Sequence, residues 1–205
     1  MGDGDDHQDD AEPELVAQLT RRCDGAGREW SRLAFRSIAH LPARLLPMEL
    51  RIRLGDAADV DAAVSVFEQS NLARRQGIWP NRAARVEHLR AKLRGPDAWF
   101  LVVTDGPAVV GMASAEALRA EGGAGPVIPG GWFLSYLFVV PERWGEGIGG
   151  AILDAVLVVA KRRDASRMHL WTHVDNERSH RLYRSRGFSP TGRSAEGEGE
   201  WVRDL

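Results

Sequence analysis

The sequence predicts an α/β protein of the α+β kind, and three observations carry that prediction. Strand-length apolar stretches and helically spaced ones follow the order strand, two helices, three strands, helix, strand, helix, two strands. A short apolar hairpin, Trp99–Thr104 and Val109–Ala115 about the turn Asp105-Gly106-Pro107, marks neighbouring antiparallel strands. One nearly unbroken apolar run, Trp132 to Val140, passes directly into a glycine-rich turn and a further helix.

Taken in order, residues 1–13 are acidic and almost without large apolar groups, so they cannot offset the entropy of ordering. From Arg28 to Leu41, Trp30, Leu33, Ala34, Ile38 and Leu41 follow helical spacing, with Arg28, Arg32 and Arg36 on another face. This helix packs on its own domain, forms a homodimer contact, or acts as a basic regulatory helix. Pro42 and Pro47 punctuate a linker. Residues 1–47 therefore read as an acidic, partly disordered extension with an amphipathic helix, and residues 48–205 as the folded domain.

Met48 opens a half-buried strand in which Leu50, Ile52 and Leu54 alternate with Arg51 and Arg53. Asp56 can cap a helix carrying Val60, Ala63, Val64 and Phe67. A second helix is predicted over Ala83–Leu93, stopped by Gly95-Pro96, and the hairpin follows. The Gly- and Pro-rich stretch from Glu121 to Gly131 reads as a loop. Trp132 to Val140 reads as a strand buried on both faces. Beyond the glycines, Ile152, Leu153, Val156, Leu157 and Ala160 set a helix whose last turn carries Lys161, Arg162 and Arg163, complementing its dipole. Met168–Val174 is a strand, and Asn176–Arg186 a helix closed by Gly187. Two final strands flank an acidic loop, Ala195–Glu200.

Composition narrows the partners. A chain of 205 residues with 43% hydrophobic and 27% charged residues can bury a real core. A formal net charge of -2 gives no electrostatic reason to expect nucleic acid or an anionic membrane. No stretch approaches the roughly 20 apolar residues of a membrane span. Cys23 is the sole cysteine, so no intrachain disulfide is available and no metal is expected; a cytoplasmic setting fits.

The segment with most chemical content is Leu137-Phe138-Val139-Val140-Pro141-Glu142-Arg143-Trp144-Gly145-Glu146-Gly147-Ile148-Gly149-Gly150. Glycines let a backbone approach a ligand closely and aim successive N–H groups into one concavity. The first turn of the helix adds unpaired N–H donors and the positive end of its dipole. The combination suits a diphosphate. The spacing is not Gly-x-Gly-x-x-Gly, the turn does not follow an opening strand, and the Walker lysine is missing, so nucleotide binding is the weaker reading.

The turn resembles the signature (Arg/Gln)-x-x-Gly-x-(Gly/Ala) of the GNAT N-acetyltransferases, matched by Trp144-Gly145-Glu146-Gly147-Ile148-Gly149. Trp144 stands where the signature has Arg or Gln, and Arg143 lies one residue earlier. A second block, Asn176-Glu177-Arg178-Ser179-His180-Arg181-Leu182-Tyr183 with Gly187-Phe188, is similar to the family's Asn-x-x-Ala-x-x-Leu-Tyr and Gly-Phe, with Ser179 for Ala. The resemblance covers roughly residues 48–205.

It implies a mixed, mostly antiparallel sheet of about seven strands with flanking helices, its fourth and fifth strands parallel and splayed. It further implies acetyl-CoA as cosubstrate and direct transfer of acetyl from the thioester to a primary amine, expected to belong to a small molecule. Protein lysine or N-terminal acetylation, or non-catalytic acyl-CoA binding, are the alternatives. By resemblance the pantetheine arm pairs with backbone near Phe138 and Val140, within the stretch Leu137, Phe138, Val139 and Val140. The diphosphate rests on Arg143, Trp144, Gly145, Glu146, Gly147, Ile148, Gly149 and Gly150, and Asn176 and Ser179 flank the arm.

Amine acetylation needs a neutral amine, a stabilised oxyanion and a proton for the departing thiolate. Tyr183 matches the family tyrosine beside the CoA sulfur and is the expected general acid. The general base is open: Glu116 first, then His173 and Asp175, or a water chain. Ser135 and Tyr136 are candidates to line the acceptor pocket. The acceptor-facing stretches include Arg74, Arg75, Trp79, Arg82 and Arg85, the segment 121–131, and Glu196, Glu198 and Glu200. Arginines there suit a carboxylate, and the glutamates suit a cationic amine.

Overall fold

The computed structural model describes residues 50–96 and 98–205; the expected extension 1–47, with its helix and linker, lies outside them. The strands are β1 (Leu50–Leu54), β2 (Phe100–Asp105), β3 (Ala108–Arg119), β4 (Val127–Val139), β5 (Arg167–His173), β6 (Ser189–Ala195) and β7 (Glu198–Asp204). The helices are α1 (Val60–Arg74), α2 (Arg82–Arg94), α3 (Ile148–Arg162) and α4 (Glu177–Ser185). Short 3-10 turns sit at Ala57–Asp59, Glu121–Gly123 and Pro141–Arg143. The seven strands form one sheet in the order β1-β2-β3-β4-β5-β7-β6, antiparallel except for the parallel pair β4–β5.

Two apolar layers sandwich this sheet. On one face α1 and α2 bury Val60, Val64, Phe67 and Leu89 against Phe100, Val102 and Met112. On the other, α3 and α4 bury Ile152, Leu153, Val156 and Tyr183 against Leu101, Val103, Leu134 and Leu170. The four residues Phe100–Val103 are all buried and feed both layers alternately, as a doubly covered strand requires. Asp56 caps as expected, although the cap closes the short turn before α1. Its side chain accepts from the Ala58 N–H at 2.8 Å, and the Asp59 carboxylate accepts from the Asp56 N–H at 2.9 Å.

Three expectations change in the fold. Val127–Gly131 is strand, not loop, because Val127 pairs with Arg119 across an irregular hairpin, leaving a short connection around Glu121–Gly123. The acidic loop Ala195–Glu200 shrinks to the turn Glu196-Gly197, both at positive φ (51° and 79°), the conformation of a tight hairpin. The β4 run is not buried on both faces throughout. Ser135, Tyr136, Leu137 and Phe138 are only half-buried, because the sheet opens beside them.

Candidate functional site

That opening comes from the parallel pair. β4 and β5 are in register from Gly131 opposite Arg167 to Leu134 opposite Leu170, and there the pairing stops. Beyond it lies a cleft of about 1340 Å³, larger than the roughly 300–1,000 Å³ typical of small-ligand pockets. It runs from the start of α3, past β4 and α4, to the C-terminal end of α1.

Backbone alternation sets what the cleft wall offers. The Val140 N–H donates to Val110 on β3 at 3.0 Å, and β3 and β4 stay in step from Gly111/Val139 to Ser114/Tyr136. Main-chain groups of Phe138 and Val140 therefore face β3, while those of Leu137 and Val139 face the opening. This corrects the expectation that an extended ligand would pair near Phe138 and Val140. One opening-facing acceptor is already taken: the Trp144 indole N–H donates to the Val139 carbonyl at 2.8 Å.

At one end the chain turns through Pro141–Gly147 into α3. Gly145 (φ 95°) and Gly147 (φ 82°) adopt backbone angles that side chains oppose, and a Cβ on Gly145 would face open space. Gly150 and Ala151 both donate to the Gly147 carbonyl, so the α3 ladder starts there and the Ile148 and Gly149 N–H groups precede it. These amides, with the helix dipole, form a cradle for an anion. Arg143 contributes little free charge, since it pairs with Asp105 at 2.5 Å and Glu146 at 2.6 Å. A cation arrives from α4 instead: the Arg178 guanidinium lies 4.0 Å from the centroid of the Trp144 ring. Arg178 lines the cleft, and the sequence reading missed it. The available signal was Trp144 in place of the signature's Arg or Gln, together with an unassigned Arg inside the second motif.

In the middle of the cleft, Asn176 caps α4 by accepting from the Ser179 N–H at 3.3 Å. Tyr183 packs near Phe188 and Trp201, at centroid distances of 5.7 and 6.4 Å, yet it also lines the cleft. Its hydroxyl makes no hydrogen bond among the described residues, and burial pushes its pKa above that of an ordinary phenol. It is therefore a protonated donor with no committed acceptor.

At the far end stand Arg74, Arg75, Trp79 and Arg85, with Tyr136, His173, Asp175 and Glu198. His173 Nε2 is 3.0 Å from an Arg75 guanidinium nitrogen and 3.4 Å from the Glu198 carboxylate. Burial lowers the His173 pKa, and Arg74 and Arg75 add to the lowering against Glu198 and Asp175. The ring is thus a neutral acceptor near pH 7.

The expected residues divide accordingly. Leu137, Phe138, Val139, Arg143, Trp144, Gly145, Gly147, Ile148, Gly149, Gly150, Asn176, Ser179 and Tyr183 line the cleft; Val140 and Glu146 do not. Glu116 also lies outside it, accepting from Lys92 at 2.5 Å and from Ser135 at 2.6 Å. Burial raises the Glu116 pKa, but those two donors outweigh it and hold the carboxyl below the usual range. Such a group is a poor proton acceptor. Ser135 and Tyr136 do line the cleft. Arg82 pairs with Glu68 at 2.6 Å away from it. Glu196 and segment 121–131 are elsewhere, and Glu200 is buried against His169, Thr191 and Arg193.

Among the described residues no group of His, Cys, Asp and Glu could hold a metal, and no helix is long and apolar enough to cross a membrane.

Residues 65–188 match the sequence model described as the Acetyltransferase (GNAT) family. No curated protein matches the chain in sequence. Among solved structures, the chain is similar to PaiA N-acetyltransferase from Thermoplasma acidophilum in complex with coenzyme A. The identity is 16%, with 77% of this chain and 100% of that one covered and a TM-score of 0.61. It is also similar to the GNAT domain of S. lividans PAT, at 19% identity, 76% and 90% coverage and a TM-score of 0.63. The ribosomal-protein-S18-alanine N-acetyltransferase of Escherichia coli is 14% identical, with 76% and 94% covered and a TM-score of 0.57.

Proposed function

From the premise that this chain belongs to the GNAT acetyltransferase family and takes acetyl-CoA as cosubstrate, we propose that it transfers acetyl directly to a primary amine of a small molecule. The observation that carries this reading is the opening of the β4–β5 pair after Leu134 and Leu170. It joins an anion cradle, a free tyrosine hydroxyl and a neutral histidine in one cleft.

The residues present fit coenzyme A. The first-turn amides of α3, the open face of Gly145 and the Arg178 cation suit a diphosphate. The opening-facing N–H groups of Leu137 and Val139 can hold the amide-bearing arm as an added strand. When bound, the cosubstrate supplies an activated acetyl thioester. Tyr183 then donates the proton that the departing sulfur requires, and its raised pKa keeps that proton available. His173, neutral and at the cleft wall, accepts the proton of the incoming amine at Nε2, directly or through water, once the Arg75 guanidinium that now donates to that nitrogen moves aside. Glu116, held ionised by Lys92 and Ser135, has no such role.

A small acceptor is favoured because the far end of the cleft is walled by side chains from the connection after α1, from β4 and from β5, among them Arg75, Trp79, Tyr136 and His173. The test is CoA release from acetyl-CoA across a panel of amines, peptides and lysine-bearing proteins. Turnover with small amines is expected, and turnover confined to proteins would overturn the acceptor class. Absence of coenzyme A binding by calorimetry would overturn the site itself.

A further inference from the structure

Three side-chain donors in the cleft wall have no hydrogen-bond acceptor among the described residues: Arg74 Nη2, Arg75 Nε and the Trp79 indole Nε1. All three are buried, and all belong to residues lining the end of the cleft that β4, β5 and α1 enclose. Buried donors without acceptors are costly, so oxygen atoms brought to this end of the cleft would find donors ready to bond them. The deficit is one-sided, since every group left unpaired in this wall donates.

Charge points the same way. Arg74 and Arg75 are consecutive, at the end of α1 and just past it. The carboxylate paired with Arg74, Asp175, is 3.7 Å away and mostly exposed, and the hydrogen-bond partner of Arg75 is the His173 ring rather than an anion. Burial depresses the Arg74 pKa, and Arg75 depresses it further against the opposing pull of Asp175 and Glu198. Arg74 Nη2 and Arg75 Nε are themselves unbonded, although turning either rigid guanidinium toward a ligand also moves the nitrogen that faces Asp175 or His173. Glu198 and Asp175 line the same end and would repel a dianionic phosphate more than a singly charged carboxylate.

We propose that Arg74 and Arg75, aided by the Trp79 indole, form a carboxylate subsite, so that the acetylated amine belongs to an amino-acid-like molecule with a free carboxylate. This rests on the acetyl-transfer reading above and names its acceptor class. The carboxylate lies on the α1 side of His173, and the amine of the same molecule points toward His173 and the opening between β4 and β5.

The experiment is calorimetric titration of the protein saturated with coenzyme A. The probes are the common amino acids, each beside its carboxamide and its decarboxylated amine. At least one free amino acid is expected to bind about ten- to a hundredfold more tightly than both analogues. Arg75→Gln and Arg74→Gln should each erase most of that preference. Equal binding across each triplet, or no binding by any amino acid, overturns the subsite. Acetylation of carboxylate-free amines with no such preference would sink the subsite and leave acetyl transfer standing. The full preference without CoA release from acetyl-CoA would do the reverse.

Discussion

Arg178 on α4 sits over the indole of Trp144, 4.0 Å from the ring centroid, while that indole donates to the Val139 carbonyl on β4. One tryptophan thus ties the glycine turn to the sheet and holds a cation beside the start of α3. Where the signature has Arg or Gln, this chain has Trp144, and the cation beside it comes from α4.

Arg178→Ala should weaken coenzyme A binding by about three- to tenfold, the scale of an exposed charged contact. The loss should shrink as salt rises, because exposed charges are screened. Calorimetry at low and high ionic strength measures both, and an unchanged Kd would reduce the pair to surface packing.

Gly145→Ala meets no neighbouring atom, yet its φ of 95° disfavours any side chain. The cost is about 1–2 kcal/mol, so Tm should drop by roughly 2–8 °C for a domain of this size. A wild-type Tm together with wild-type coenzyme affinity would show that the turn relaxes freely.

Tyr183→Phe removes a hydroxyl that makes no hydrogen bond among the described residues, so stability should hardly change. Turnover should fall by about 10²–10⁴-fold, the range for loss of a general acid, with coenzyme affinity kept within about twofold. Because burial raises the tyrosine pKa, wild-type activity should show no ionisation of this group up to pH 10 or so. Equal kcat in the two forms would leave Tyr183 a packing residue.

His173 is held neutral by burial and by Arg74 and Arg75, so protonating it costs more than for a free imidazole. If it accepts the amine proton, kcat/KM gains an acid limb with a midpoint below about 6.5, rising with pH. His173→Gln should abolish that limb, whereas a limb that survives assigns the proton to water. The same shift favours the neutral ring in the folded state, so this group's contribution to stability declines as pH falls below the ordinary histidine range.

Asp59 receives two bonds from Arg53, at 2.5 and 2.6 Å, and one from the Asp56 N–H, tying β1 to the start of α1. Burial raises its pKa, but these donors prevail and the net shift is downward. Its stabilisation is therefore complete above the unfolded value near 3.9 and lost as pH drops toward the lower folded value. Asp59→Asn should cost about 1–3 kcal/mol at pH 7 in urea unfolding and flatten that acid dependence.

Much of this molecule could be read from local pattern. Val60, Val64 and Phe67 announced α1, Ile152 and Val156 announced α3, and all are buried where the spacing put them. The glycine turn was legible because the positive φ angles at 145 and 147 favour glycine. Where local pattern misled, a distant strand had intervened. Val127–Gly131 has loop composition, yet pairing of Val127 with Arg119 makes it strand. Ser135–Phe138 were read as buried because an apolar side chain looks alike whether protein or ligand covers it. Glu116 looked free until Lys92, on α2, reached it.

From the chain alone came the order of elements, the glycine turn and the Asn176–Tyr183 helix, which depend on φ angles and apolar periodicity that a few consecutive residues set. The family and its cosubstrate came from the resemblance of two short motifs, also local in sequence. Tertiary structure alone decided that Arg75 meets His173 across 98 positions and that Arg178 covers Trp144. It also decided which amides of β4 face the opening. Those relations depend on where the sheet stops pairing and how helices lie on it, and no short segment encodes either.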